Sequence, residues 1–239
     1  TKGLTAHGEE IVREMLRLGM LIDITHCTPT GRKRVYEIVE ETGSTECLIS
    51  SHTGCYEINR DPMNLEDWEI RWFSDHGCVI GIILMSYWLS PVDTGMALKH
   101  VEHSIHHICN ITGHDVASIG TDMDGFTDPP DEIVSIDQMP RLTKYLAATN
   151  HYKEDQLKKI LGGNSLRLLL NGWKKQAPCF TDSPPYEACR AVALPSPLQR
   201  NDLKMTKYSE FVRNYLAKRN LPKKKNTEDK KDEKKKKES

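Results

Sequence analysis

Three apolar runs each end in a side chain that can bind a metal or move a proton: Met20-Leu-Ile-Asp-Ile-Thr-His26, Cys47-Leu-Ile-Ser-Ser-His52 and Val116-Ala-Ser-Ile-Gly-Thr-Asp122. Imidazole nitrogens suit zinc, so two of them at neighbouring strand ends can share one divalent ion. A carboxylate nearby can take a proton from water as a general base. Parallel barrels build their active sites at the carboxyl ends of strands, where these three residues fall. The positions of His26 and His52 equally suit histidines that hydrogen-bond near a strand end without metal. Asp122 and Asp124, in Gly120-Thr-Asp-Met-Asp-Gly125, equally suit aspartates that bond their own backbone in a turn. Asp124, beyond the strand and beside Gly125, fits that turn role better than Asp122 does.

Other residues with chemical potential read more simply. His100, His103, His106 and His107 crowd one helical stretch. His103 and His107 stand four apart and could pinch a metal, but no Glu lies between them as in H-E-x-x-H, so a packed or solvated face is expected. Cys27 follows His26 directly, and strand alternation aims the two side chains apart, which argues against a Cys-His nucleophile pair. There is no G-x-S-x-G, no phosphate-binding loop and no G-x-G-x-x-G. Activated-serine hydrolysis, nucleotide binding and dinucleotide redox chemistry therefore drop out.

The elements that must position His26, His52 and Asp122 alternate along the chain. Thr5 can cap a helix carrying Ile11, Val12, Met15, Leu16 and Leu18 on roughly one face, with Gly19 as its stop. Met20 to Ile24, apolar except for Asp23, predicts a strand buried on both faces. A helix over Arg34 to Glu41, ended by Gly43, precedes a strand at Leu48 to Ser51. Leu65 to His76 is helical with Gly77 after it, and Cys78 to Met85 is the clearest strand. A helix from about Met96 to Thr112 leads to a fourth strand at Val116 to Gly120. Helices over Pro140 to Thr149 and Lys153 to Trp173 complete the pattern. Four strands separated by helices predict an α/β fold with one parallel sheet.

Composition bounds the reading further. The chain has 239 residues, 38% hydrophobic and 28% charged, an ordinary globular balance, and no apolar run long enough for a spanning helix. It begins at Thr1 with no charged-then-apolar leader, so it reads as a piece of something longer, and its compartment stays open. Seven cysteines without a C-x-x-C pair argue against a zinc knuckle, and leave a single Cys179–Cys189 bridge open. The net charge of −1 hides a tail: residues 223–239 hold nine Lys against five acidic residues. That block reads as solvated and disordered, and no nucleic-acid partner is expected. Prolines at 178, 184, 185, 195 and 197 mark an irregular extension. Tyr208, Phe211, Val212, Tyr215 and Leu216 then follow helical spacing. Three regions are thus expected: 1–175, an extension with one docking helix at 176–222, and the tail at 223–239. The charged terminus lacks the apolar tail of a lipid-anchor signal.

Several motifs in order carry a family resemblance. Gly3-Leu-Thr-Ala-His-Gly8, Val12-Arg-Glu-Met and Leu18-Gly-Met-Leu-Ile-Asp-Ile-Thr-His26 resemble the segment of membrane (renal) dipeptidases that runs into their fifth barrel strand. The likeness continues through Ser51-His-Thr, Pro62-Met-Asn-Leu, Gly120-Thr-Asp-Met-Asp-Gly125 and Ile160-Leu-Gly-Gly-Asn-Ser-Leu-Arg167, covering about residues 3 to 170. It implies a (β/α) barrel of the TIM type in which two zinc ions hold a bridging hydroxide that attacks the amide of a small peptide. By the same resemblance, His26 and His52 hold the second zinc and Asp122 contacts the nucleophilic water. Asp23 and Ser51 are expected to support those ligands by hydrogen bonds rather than to bind metal.

Two departures shape what the resemblance implies. The family's first-strand His-x-Asp and its bridging Glu have no counterpart here, so the chain matches strands five to eight only and holds at most one partial zinc site. Where the family places an arginine for the substrate carboxylate, this chain has Met63, which cannot form a bidentate pair; Arg60 is the nearest substitute. A half barrel leaves an unpaired sheet edge, which favours a homodimer or aggregation. Three readings follow: half of a zinc dipeptidase, inactive alone; an amidohydrolase of changed specificity; or a non-catalytic scaffold that binds partners through its extension and tail.

Overall fold

The hydroxyls of Thr5 and Thr28 accept hydrogen bonds from the N–H groups of Gly8 and Gly31, and these caps start α1 (Ala6–Arg17) and α2 (Pro29–Thr42). Between them runs β1 (Ile22–Asp23). Gly43, with a φ of 63°, ends α2 in the left-handed conformation that glycine adopts without strain. The computed structural model describes residues 3–91, 97–126 and 129–173. Within them the chain continues as β2 (Leu48–Thr53), α3 (Asp67–Asp75), β3 (Val79–Ile82), α4 (Ser86–Leu89), α5 (Leu98–Thr112) and β4 (Ala117–Ile119). It finishes with α6 (Pro140–Ala148), α7 (Glu154–Lys158) and α8 (Asn164–Gly172).

The four strands form one parallel sheet in the order β1-β2-β3-β4, with helices in every connection. The α/β fold with a parallel sheet is as expected. Val79, Ile80 and Ile82 of β3 are fully buried, and Phe73, Ile105, Ile108, Leu142 and Ile160 bring the helices onto the same core. The sheet curls sharply. Strands two apart in a flat sheet lie about 9–10 Å from each other. Yet a Cβ on Gly120, just past β4, would lie 1.7 Å from the Ser51 carbonyl oxygen of β2, and one on Gly81 would lie 2.2 Å from it. Only glycine fits at either position. The register of β2 against β3 also shifts between Ser50 and Thr53, which turns the end of β2.

Some expectations change. Met20 is 45% exposed and the first strand shrinks to two residues, with Ile22 and Ile24 buried but Asp23 open to the other face. A strand paired on one side only, as β1 is among the described residues, has less ladder to extend its ends. Ile11 points outward from α1 while Val12 is buried. The helix expected over Lys153 to Trp173 divides into α7, a π-helical turn at Lys159–Gly163 and α8, because Gly162 is non-helical at φ 160°. α4, too short for a periodic signal, was not foreseen. Among the described residues no helix is long and apolar enough to cross a membrane. The extension at 176–222, its docking helix, the tail at 223–239 and the Cys179–Cys189 pair lie outside the described residues.

One polar cluster inside this core ties the loops beyond β1 and β2 together. Arg32 of α2 and Glu69 of α3 are each 2% exposed and form a two-pronged ion pair at 2.8 and 2.9 Å. The remaining Arg32 hydrogens go to the carbonyls of Cys27, Pro62 and Asn64. Glu69 also accepts from the Tyr36 hydroxyl and the Glu66 N–H. Burial, then the neighbouring Glu69 carboxylate, pushes the Tyr36 phenol well above its ordinary value, which keeps it a donor. Removing one partner strands the other charge in the core. Arg32→Ala is expected to cost about 3–5 kcal/mol in urea denaturation of the full chain, and a loss under 1 kcal/mol would contradict this role.

Candidate active site

The chain leaves β1 through a tight turn that aims His26 back over the sheet. Asp23 Oδ1 accepts from the Thr25 N–H, Ile24 accepts from the Cys27 N–H, and His26 itself adopts a left-handed φ of 67°. Left-handed backbone is uncommon for a histidine and is held here by the bonds on either side of it. His52 lies within β2, the next strand of the sheet. The two imidazoles therefore meet: their Nε2 atoms are 2.9 Å apart, with ring centroids at 4.9 Å. Asp122, also left-handed at φ 51°, brings Oδ1 to 3.9 Å from His52 Nε2. The structure thus places all three sequence-predicted groups in one cluster.

Asp23 and Ser51 sit directly behind His52. The Ser51 hydroxyl donates to Asp23 Oδ2 at 2.5 Å and lies 2.8 Å from His52 Nδ1. Its one hydrogen is taken by the carboxylate, so its oxygen must accept from His52 Nδ1–H. The neutral His52 ring then carries its proton on Nδ1 and presents a bare lone pair at Nε2. Burial works to raise the Asp23 carboxyl, but hydrogen bonds from the Ser51 hydroxyl and from the Thr25 and Ser51 N–H groups outweigh it, and the group lies below its ordinary value. An ionised Asp23 keeps this chain of bonds polarised in one direction.

Asp122 is shaped by its own turn. The Gly125 N–H donates to the Asp122 carbonyl, and a Cβ at Gly125 would fall 2.1 Å from Asp122 Oδ1. Glycine at 125 therefore leaves the carboxylate its place. Asp124, exposed at φ 72°, is part of that turn rather than of the cluster. Cys27 is half-buried, and burial raises its thiol above the ordinary value, which leaves it a poor nucleophile.

Trp88 of α4 was missed by sequence reasoning. Its ring lies 5.8 Å from that of His26 and 6.3 Å from that of His52, walling one side of the pair. Asn59 and Asn64 hold it there by donating to the Trp88 carbonyl, while the buried Asn64 side chain also accepts from Gly54. No local pattern marks Trp88, because its role arises from a contact across the sheet. Arg60 is exposed, and Met63 packs partly buried against the core. His103 is exposed and His107 pairs with Asp67 at 2.7 Å, so those two do not pinch a metal together.

The donor set suits a divalent ion. Zinc holds nitrogen ligands at 2.0–2.1 Å, which sets two tetrahedral donors roughly 3.3 Å apart. The 2.9 Å between the two Nε2 atoms needs only a slight widening to reach that spacing. Two imidazoles and a carboxylate at the ends of parallel strands have the layout of a metal-dependent hydrolase.

The sequence comparisons agree with that layout. The sequence model of the membrane dipeptidase family, peptidase family M19, matches residues 1–176, and the chain belongs to this family. A protein of the pqqA 5' region of Klebsiella pneumoniae is 31% identical over 176 residues, covering 72% of this chain and 62% of that protein. An uncharacterized dipeptidase of Schizosaccharomyces pombe is 24% identical over 175 residues, 73% of this chain and 40% of its own length. Among solved structures, a Rhodobacter sphaeroides metallopeptidase bound to a phosphinate mimic of L-Ala-D-Ala superposes with a TM-score of 0.66 at 23% identity, covering 72% of this chain and 48% of that one. A Pseudomonas aeruginosa amidohydrolase gives 0.61 at 25% identity, 72% and 58%. The chain thus spans between 40% and 62% of the length of these relatives.

The hydrogen-bond order behind His52 has a direct readout. Imidazole nitrogen-15 shifts of the full chain are expected to show His52 as the Nδ1–H tautomer, and Ser51→Ala to restore a mixture of both. A wild-type ring protonated mainly on Nε2 would contradict the assignment.

Proposed function

We propose that this chain is the carboxyl-terminal half, strands five to eight, of a zinc-dependent dipeptidase barrel of the TIM type, and that the whole protein hydrolyses small dipeptides. The observation that carries the reading is the His26–His52 pair, with Nε2 atoms 2.9 Å apart and the His52 proton held on the far nitrogen by Ser51 and Asp23. Membership of the dipeptidase family, the order of the shared motifs and the half-length matches support it. The sharp curl of the sheet also suits a barrel, and β1 and β4, each with one neighbour among the described residues, are the edges on which a missing half or a second copy would pair.

Zinc, when bound, supplies a Lewis acid that lowers the pKa of water enough for it to attack an amide at neutral pH. This chain's own residues do the rest. His26 and His52 supply nitrogen donors. Asp122, 3.9 Å from His52 Nε2 and one-quarter exposed, is placed to take the proton of the attacking water and return it to the leaving amine. The Trp88 ring packs beside the imidazole pair. Two donors alone hold zinc weakly, and in this reading the remaining ligands come from the missing half of the barrel.

The packing of Met63 against the core favours a second reading, in which the whole protein acts on an amide lacking the free carboxylate of a dipeptide. Substrates matched in size, with and without that carboxylate, separate the two. Dipeptides should be preferred if Arg60 or a residue outside this chain binds the carboxylate, and blocked amides if nothing does.

Zinc titration of the isolated chain by calorimetry should resolve a weak component whose affinity His26→Ala or His52→Ala reduces at least 10-fold, and an isotherm unchanged in both variants would remove the basis of the proposal. The isolated chain should hydrolyse dipeptides at under about 1% of the rate of an intact family member, since it lacks zinc ligands and loss of even a supporting partner of a metal site typically costs about 10–100-fold in affinity or activity. Full activity in the isolated chain would contradict the half-site reading.

A further inference from the structure

Four histidines in α5 are divided by the fold among different tasks. His107 turns to Asp67 and His103 faces solvent, but His106 joins a separate cluster. Glu102 and His106 stand one helical turn apart on α5, and His151 reaches both from the link between α6 and α7. His151 Nδ1 lies 2.8 Å from Glu102 Oε1, and the His106 and His151 rings are 4.8 Å apart. One ligand atom from each of the three residues lies within 4.8 Å of the others. The Tyr152 hydroxyl donates to the same Glu102 oxygen at 3.4 Å. The cluster belongs to the outer layer of helices and shares no residue with the His26–His52 site.

We propose that Glu102, His106 and His151 form a second, independent site for a divalent transition-metal ion of the zinc class. Two imidazoles and one carboxylate are the donors that zinc accepts, whereas magnesium and calcium take oxygen ligands. Ligands held by one zinc ion lie roughly 3.3 Å apart, so the three groups must close by up to about 1.5 Å. His151, with its side chain 47% exposed and on a connecting segment, can make that movement by changing rotamer. Glu102, 12% exposed and hydrogen-bonded from Tyr152, is already held in position. The ion would tie α5 to the segment between α6 and α7 and so brace the last helices of the domain. It leaves a fourth coordination position to water.

Equilibrium dialysis of the full chain against zinc tests the site apart from the catalytic proposal. The double variant His26→Ala/His52→Ala should retain roughly one zinc per chain, and adding His106→Ala or Glu102→Gln should remove it, with affinity falling at least 10-fold. Bound zinc should also raise the Tm of that double variant, and the rise should vanish with His151→Ala. If the double variant does not fold, the wild type against His106→Ala supplies the same difference of roughly one zinc per chain, with circular dichroism in chelator as the folding control. Equal zinc binding with and without Glu102, His106 and His151 would mean that Glu102 and His151 form only a hydrogen-bonded pair, and would overturn the proposal. Loss of the His26–His52 site in the same measurements would leave this site unaffected.

Discussion

A guanidinium and a carboxylate buried to 2% exposure are costly to take out of water, and the Arg32–Glu69 pair offsets that cost by leaving no polar hydrogen or lone pair unused. Arg32 makes two bonds to the carboxylate and three to backbone carbonyls, and Glu69 adds two further donors. The carbonyls matter for function because of where they lie. Cys27 follows His26, while Pro62 and Asn64 flank Met63 in the segment after β2. One charged pair therefore fixes the turn that carries a candidate ligand to the segment that holds Trp88 over it, through Asn64.

The sheet imposes the complementary constraint. Its curl brings the end of β2 close to the end of β4, so that His52 and Asp122, separated by one intervening strand, reach within 3.9 Å. That approach depends on Gly81 and Gly120, since any side chain there would occupy the space of the Ser51 carbonyl. Behind the imidazole the same Ser51 sends its hydroxyl to Asp23. One residue thus joins the backbone closure of the sheet to the hydrogen-bond order of the His52 ring. His26, Asp122 and Asp124 take left-handed backbone beside this closure, as strained positions often do where a fold serves a site.

Much of the architecture was legible in local patterns. The helix start at Thr5 and the stops at Gly19, Gly43 and Gly77 follow from backbone groups that need a cap or a left-handed residue, and those needs are written in single residues, whereas α2 starts at its Thr28 cap, ahead of the expected Arg34. The parallel sheet followed from strand and helix in alternation. The lengths of β1, β3 and β4 were overestimated because apolar runs such as Met20 to Ile24 continue past the point where a neighbour can pair with them, whereas β2 extends past the expected Ser51 to Thr53. The break at Gly162 and the short α4 depend on packing that periodicity does not record.

By itself the sequence determined which residues could carry chemistry. His26, His52 and Asp122 close apolar runs, and Asp23 and Ser51 stand beside them, because side-chain type and distance from a strand end are local properties. Tertiary structure alone decided that these residues converge, that Ser51 and Asp23 line up behind His52 Nδ1, that Trp88 walls the pair and that Glu102, His106 and His151 meet elsewhere. Each of those outcomes depends on the curl of the sheet or on a contact between distant segments, and such contacts arise only when the whole core is packed.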